Sequence, residues 1–309
     1  MIQIFDSEKL PDFIGDIHGN YNHLIQLLIK LGYQKSNNLF VHPKRIPVFL
    51  GDYINRGPDS LEVLNLISNM QKSGLAYALM GNHEFNFLAY HFKNERGEYF
   101  RPNNERYYGY IASSKKPIDE SGRLDEFINW MTELPLIIKG EHFNAVHAQW
   151  NKSLELYLMK FNLKKMDELT MQFIYNNENL LNTISDIIRG NEFELTSDFK
   201  QRYGLKIQDK KLRFLWWKQN RTFYLYDWLD VGEDLRNIII DPKEFEACLL
   251  NEINTKPTFF GHYWLKPKDF GLISPSLCCL DFSVANGGFI GTYRFHNEQK
   301  LVAENLFRN

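Results

Sequence analysis

Five short segments set chemically capable side chains beside glycine or at the end of an apolar run. They read GDIHG (15–19), GDYINRG (51–57), GNHE (81–84), His147 in AVHAQW and His262 in FFGHYW. Ligands bind at the carboxyl ends of strands in open sheets, so Asp16, His18, Asp52, Asn82, His83, His147 and His262 are candidates to converge. A mixture of carboxylate, amide and imidazole donors suits divalent Mn, Fe, Zn or Ni, and the lack of thiolates argues against a structural zinc knot. Two cations about 3.5–4 Å apart bind phosphate oxygens and turn a water between them into hydroxide at neutral pH. Such a pair needs a carboxylate that touches both, and Asp52 is the candidate. Asp16 and His18 would complete one cation site. Asn82, His147 and His262 would complete the other. Glycines around these ligands let the backbone turn sharply and let phosphate approach.

The elements that must position these groups follow from periodicity. Phe13 to Asp16 reads as a strand, followed by a helix with Leu24, Leu27, Leu28 and Leu31 on one face, capped by Asn20 or Asn22 and ended by Gly32. The pattern repeats with a strand over 46–50. Asp59 and Glu62 form a capping pair before Leu61, Leu64 and Met70, and Gly74 terminates the second helix. A third unit runs from a strand over 75–80 into a helix carrying Phe85, Leu88, Ala89 and Phe92. This alternation predicts an α/β fold with a largely parallel inner sheet. Residues 136–147 read as a hairpin. Residues 154–188 are mainly helical, and 193–235 are irregular and aromatic. Strands return at 258–261, 277–282, 288–295 and 301–306. With no repeat or long linker, 1–309 reads as one domain with a mostly helical insertion or cap at about 151–235.

Composition narrows the setting. The 309 residues hold 36 Lys plus Arg against 38 Asp plus Glu, a net charge of −2, which argues against a dedicated nucleic-acid surface or a polybasic membrane anchor. No apolar run is long enough for a membrane span, and Asp6, Glu8, Lys9 and Asp12 interrupt any signal-like start. Three cysteines without metal-type spacing fit reduced thiols, so the expected location is cytoplasmic.

The ordered set GDIHG, GDYINRG, GNHE, HA and GH resembles the phosphoprotein-phosphatase type of calcineurin-like metallophosphoesterases, and KPTFFGHYWL (256–265) and CLDFSVANGG (279–288) are similar to its bacterial members. The resemblance implies a four-layer αββα sandwich with two mixed β-sheets and a pair of divalent metal ions, Mn foremost. It assigns Asp16, His18 and Asp52 to the first metal and Asp52, Asn82, His147 and His262 to the second. It gives Arg56 the role of phosphate clamp and His83 that of general acid, with a metal-bridging hydroxide attacking in line. The implied activity is a phosphatase acting on phosphomonoesters, with phosphoprotein (Ser/Thr or Tyr) substrates leading. A dinucleoside-tetraphosphate hydrolase is the alternative and a phosphodiesterase a third reading. A small phosphate ester or a phosphorylated protein is therefore the expected partner.

One residue departs from the pattern. Asn55 stands where the family carries the aspartate that pairs with the motif-three histidine, here His83. An amide orients an imidazole but does not stabilise its protonated form. An attenuated phosphate-binding module is accordingly the non-enzyme reading. A second phosphate-binding arginine is usual upstream of the last histidine. Arg221, following LRFLWWKQN, is the candidate, with Arg213 and Arg236 competing. Tyr263 is a candidate substrate contact, with plain packing the alternative. Glu84 is expected to orient a neighbouring loop, His142 to be structural, and Trp216 and Trp217 to be core or cap aromatics.

Overall fold

The computed structural model describes residues 1–101, 114–218, 221–249 and 256–309. In chain order the strands are β1 (Ile2–Ile4), β2 (Leu10–Ile14), β3 (Gln34–Ser36), β4 (Leu39–Val41), β5 (Arg45–Phe49), β6 (Tyr77–Ala78), β7 (Ile137–Lys139) and β8 (Asn144–Val146). They continue as β9 (Glu192–Glu194), β10 (Lys211–Arg213), β11 (Thr258–Phe260), β12 (Leu277–Cys279), β13 (Asp281–Phe282), β14 (Phe289–Arg294) and β15 (Leu306–Arg308). The helices are α1 (Tyr21–Lys30), α2 (Ser60–Lys72), α3 (Asn82–His91), α4 (Leu124–Glu133), α5 (Lys152–Met159), α6 (Glu168–Tyr175), α7 (Glu178–Arg189) and α8 (Ser197–Arg202).

Two mixed sheets result. One has the order β1-β7-β8-β11-β12, and the other β13-β14-β2-β5-β6 with β15 on the far side of β14. Strands β2, β5 and β6 run parallel, as the strand–helix alternation requires, whereas β14 is antiparallel to β2. Period-two alternation explains the layering. Phe13, Val48, Ile138, Ala145, Phe259 and Cys278 belong to one buried cluster between the sheets. Their neighbours Ile14, Phe49, Ile137, Val146, Phe260 and Cys279 join the larger cluster that includes the helices. Phe13 and Phe259 stack with ring centroids 3.7 Å apart, joining the sheets directly. Among the described residues, no helix is long and apolar enough to cross a membrane.

Three local expectations change. Asp59 stands at the N-cap of α2, but its side chain makes no cap hydrogen bond. The run 277–282 is two strands, since β12 pairs with β11 and β13 with β14. Leu280, between them, donates its N–H to the Phe260 carbonyl at 2.8 Å. The run, apolar except for Asp281, hides such a crossing because both sheets bury it. The last strand lies at β15, while Ala303–Asn305 forms a 3-10 turn. His142 sits exposed in the turn between β7 and β8.

Candidate metal centre

The candidate ligands come from five strand-to-loop junctions that meet at one edge of the two sheets. Asp16 and His18 follow β2, Asp52 follows β5, and Asn82 opens α3 after β6. His147 follows β8 and His262 follows β11. All but Asn82 are buried. Close backbone approach requires glycine at two of these junctions. A Cβ on Gly81 would lie 2.2 Å from Asp52 Oδ1, and one on Gly261 would lie 2.0 Å from Asp16 Oδ1. Left-handed backbone also gathers here: φ is 46° at His18, 55° at Asp52, 70° at Asn55, 72° at Arg56, 73° at His262 and 48° at Trp264. Each non-glycine residue in this region costs about 1–3 kcal/mol, and such strain clusters at functional sites.

Two donor sets share Asp52. His18 Nδ1 donates to the Ile54 carbonyl at 3.1 Å, turning Nε2 inward, 3.6 Å from Asp52 Oδ2 and 3.9 Å from Asp16 Oδ2. Among the described residues, that buried Nε2 has no hydrogen-bond partner. His147 Nδ1 donates to the Leu50 carbonyl at 2.7 Å, aiming Nε2 at Asn82 Oδ1 (3.1 Å) and Asp52 Oδ1 (3.3 Å). His262 Nδ1 lies 2.9 Å from the same Asn82 oxygen. Ligand atoms of His18, Asp52 and His83, and of Asp52, His147 and His262, fall within 4.8 Å of one another in each group. An orphaned imidazole nitrogen and converging oxygens with few protons to share are what a divalent cation satisfies, so these residues fit the expected pair of ions.

The electrostatics are those of a site built for positive charge. Burial, aided by the Asp281 charge, holds Asp16 well above the usual carboxylate range. Burial also acts to raise Asp52, but His147, His83 and His18 outweigh it and hold Asp52 well below that range. Burial, then the His83 charge, pushes His18 down to about 3. Burial and the Arg213 charge hold His262 well below the imidazole range.

His83 lies over Asp52: its N–H donates to Asp52 Oδ1 at 3.0 Å, and its Nε2 is 3.8 Å from Asp52 Oδ2. Asn55 Nδ2 sits 2.7 Å from His83 Nδ1. With the amide so oriented, Nδ1 accepts and the imidazole proton resides on Nε2, facing the site. Glu84 accepts from the N–H groups of Asp52 and Tyr53, both at 2.9 Å, and of Gly81 at 3.1 Å, so it orients the loops. Arg56 stacks on Trp264, its guanidinium carbon 3.7 Å from the ring centroid.

The other arginines separate. Arg221 lies against Phe214 and Trp228, and its Nη2 donates to the Leu215 carbonyl at 3.0 Å, which places it in the aromatic cluster. Arg213 approaches the same Trp264 ring as Arg56, at 5.2 Å. Arg236 pairs with Glu233. Tyr263 is buried edge-on to Trp217 and His262, and Gly190 packs against its hydroxyl. Trp216 and Trp217 pack on Phe260. Two residues absent from the sequence-derived set join the site. Asp281 accepts from the Trp264 N–H at 2.9 Å and fixes the loop after His262. Trp264 gathers the arginines. Their signal was present, an acid and an aromatic beside motif residues, but motif reading alone gives neither a partner.

The sequence model of the calcineurin-like phosphoesterase family matches residues 12–262, and the chain belongs to that family. Among curated relatives, the asymmetrical bis(5'-nucleosyl)-tetraphosphatase PrpE of Halalkalibacterium halodurans is 48% identical over 73 residues. That segment is 23% of this chain and spans only 30% of the PrpE protein's length. The symmetrical bis(5'-nucleosyl)-tetraphosphatase of Buchnera aphidicola subsp. Baizongia pistaciae is 23% identical, over 94% of this chain and 97% of its own. Two solved structures share the fold, each with TM-score 0.51 and 15% identity. They are a cold-active protein tyrosine phosphatase, matched over 95% of this chain and 75% of its own, and a Saccharomyces cerevisiae protein serine/threonine phosphatase, matched over 100% and 82%.

Proposed function

We propose that this chain is a two-metal phosphoric ester hydrolase whose substrate is a dinucleoside tetraphosphate, cleaved at a phosphoanhydride. The observation that carries the reading is the end-to-end relationship to a symmetrical tetraphosphatase. Phosphoprotein substrates, the leading expectation from the motifs, have only likeness of fold behind them. Asp16, His18 and Asp52 would hold one ion and Asp52, Asn82, His147 and His262 the other. When bound, such ions supply Lewis acidity toward phosphate oxygens and lower the pKa of water between them.

The chain's own groups do the rest. Arg56 offers a guanidinium fork to phosphate oxygens, braced by Trp264. His83 holds a proton at Nε2 for the departing oxygen. A phosphoanhydride expels a phosphate, a weaker base than an alkoxide, and so needs that proton less. The amide of Asn55 in place of a carboxylate is therefore tolerable for this substrate class. The segment 151–235 serves as the recognition cap.

The test compares a dinucleoside tetraphosphate, a phosphopeptide and an aryl diester with the Mn-supplemented protein, using Asp52→Asn as the blank. A kcat/KM for the tetraphosphate at least about tenfold above the others is expected, with chelation abolishing turnover. Preference for the phosphopeptide would overturn the reading. Product analysis separates cleavage into two nucleoside diphosphates from cleavage into a triphosphate and a monophosphate.

A further inference from the structure

Helix α7 buries one side, formed by Leu180, Thr183, Ile184, Ile187 and Ile188. Asn182, Ser185 and Arg189 follow one another at three and four residues, so they make a separate polar stripe along the same helix. That stripe lines a cavity of about 270 Å³, whose other walls include Phe100, Arg101 and Tyr175 at the end of α6. The cavity adjoins the metal centre. Phe85, also in its wall, lies two residues beyond His83 at the start of α3, and Arg189 donates to the side chain of Asn86 beside it. The last turn of α7 is tied to the His147 loop, where the Ile187 carbonyl accepts from the Ala148 N–H at 2.9 Å. The next residue, Gly190, packs against Tyr263, the neighbour of His262.

The lining suits a flat ring with hydrogen-bonding edges. The Phe100 and Tyr175 ring centroids are 4.8 Å apart, with 34° between the planes. The Phe100 and Arg101 N–H groups donate to the Phe92 and Ala89 carbonyls, at 3.2 and 2.9 Å, which fixes that wall to the end of α3. The Arg101 guanidinium donates to the Tyr175 hydroxyl, so the two walls hold each other. Aromatic rings and guanidinium planes stack on any base, and Asn and Ser side chains offer donors and acceptors to a base edge. Among the described residues no carboxylate lines the cavity, which makes it a poor cation site. Ligand pockets run from roughly 300 Å³ upward, so this volume admits one base and not a whole dinucleotide.

We propose that the cavity between α3, α6 and α7 is a nucleobase pocket, in which Tyr175 and Phe100 form a platform for one base of the substrate and Asn182 and Ser185 meet its edge. This rests on the dinucleoside tetraphosphate reading and deepens it, because a phosphate ester without a base leaves the pocket empty. The base is held on the α3 side of the metal centre, and its phosphates run toward the candidate ligands. Three of the four recognition residues belong to the segment 151–235, which gives that segment a defined task.

The test is calorimetric binding to the Mn-loaded full chain of two ligands that resist hydrolysis. One is a methylene-bridged diadenosine tetraphosphate, and the other is methylenediphosphonate, which has no base. Ser185→Leu fills the cavity with a good helix former and should weaken the tetraphosphate analogue about tenfold, the scale of one base–aromatic stack, with the diphosphonate within about twofold of wild type. Tyr175→Ala should show the same selective loss, and Tyr175→Phe, which keeps the ring, should stay within about threefold. Asn182 is exposed, so Asn182→Ala keeps the fold and should weaken the analogue alone, by about threefold. Equal weakening of both ligands, or an analogue affinity unchanged by Ser185→Leu and Asn182→Ala, overturns the pocket. So does a loss confined to a phosphotyrosine peptide. If the analogue binds in a Ser185- and Tyr175-dependent way yet the unmodified tetraphosphate is not cleaved, the pocket stands and the proposed activity falls. If the tetraphosphate is cleaved with the same KM in every variant, the activity stands and the pocket falls.

Discussion

Asn55 meets His83 at 2.7 Å in the place where the family resemblance implies a carboxylate, so the contact is kept without the charge. Burial lowers His83 most. Asp52 opposes it, Arg56 adds to the lowering, and the imidazole is pushed down to about 4. In the proposed role of proton donor, His83 would therefore act as a neutral imidazole through Nε2. General acid–base assistance is worth roughly 10²–10⁴-fold, and restoring the carboxylate should recover part of it where the leaving group is most basic. Asn55→Asp should raise kcat on an alkyl phosphate about tenfold and on a nitrophenyl phosphate by under about threefold. Steady-state kinetics with both esters checks this, and equal gains would refute it. The candidate ligands, His147 apart, were legible from residue types beside glycine. The Arg213–Trp264 contact was not, because a cation reaching a ring from a separate hairpin leaves no trace in spacing.

At the scale of elements, α7 carries an unfavourable charge. Asp186 sits in its last turn, where the exposed carbonyls already concentrate negative potential. Burial, with Glu192 adding to it, raises its carboxyl to about 6. A carboxyl whose folded pKa exceeds the unfolded value near 3.9 costs nothing below that pH. The cost grows as pH rises toward 6 and is constant above, up to roughly 2–3 kcal/mol at full burial. Asp186→Asn should therefore stabilise the fold at pH 7, with little effect near pH 4. Urea denaturation at both values measures the difference. Among the elements, α1, α2, α3 and the β7–β8 hairpin were readable because their apolar residues follow one period. The β12–β13 break was not, since every residue of CLDF is buried, Asp281 included, and burial continues across the crossing. Asp59 misled for a related reason: a capping residue type does not ensure that its side chain turns back to the helix.

For the whole molecule, the largest unmet demand is the buried cluster of acids and imidazoles at the shared sheet edge. A ligand that binds only the folded state stabilises it by about 2.7 kcal/mol at a concentration one hundred times its Kd. For a domain of this size that corresponds to a rise of roughly 5 °C in thermal midpoint. Mn²⁺ should raise the midpoint by this order, chelation should reverse it, and Asp52→Asn should blunt the response. Calorimetric scans at several Mn²⁺ concentrations give the slope. A concentration-independent midpoint would count against the two-ion site.

Leu280 links the two sheets in a single step, with β12 ending on one side of it and β13 beginning on the other. Its carbonyl lies where a Cβ on Gly15 would sit, 2.1 Å away, so the crossing presses on the loop that supplies Asp16 and His18. The sheets are thus sewn together at the point where the ligands gather. Sub-global opening of one sheet would pull this stitch and dismantle the other half of the site with it. Slow amide exchange at the metal edge should track global unfolding, and the lability needed to admit and release substrate is left to the peripheral segments.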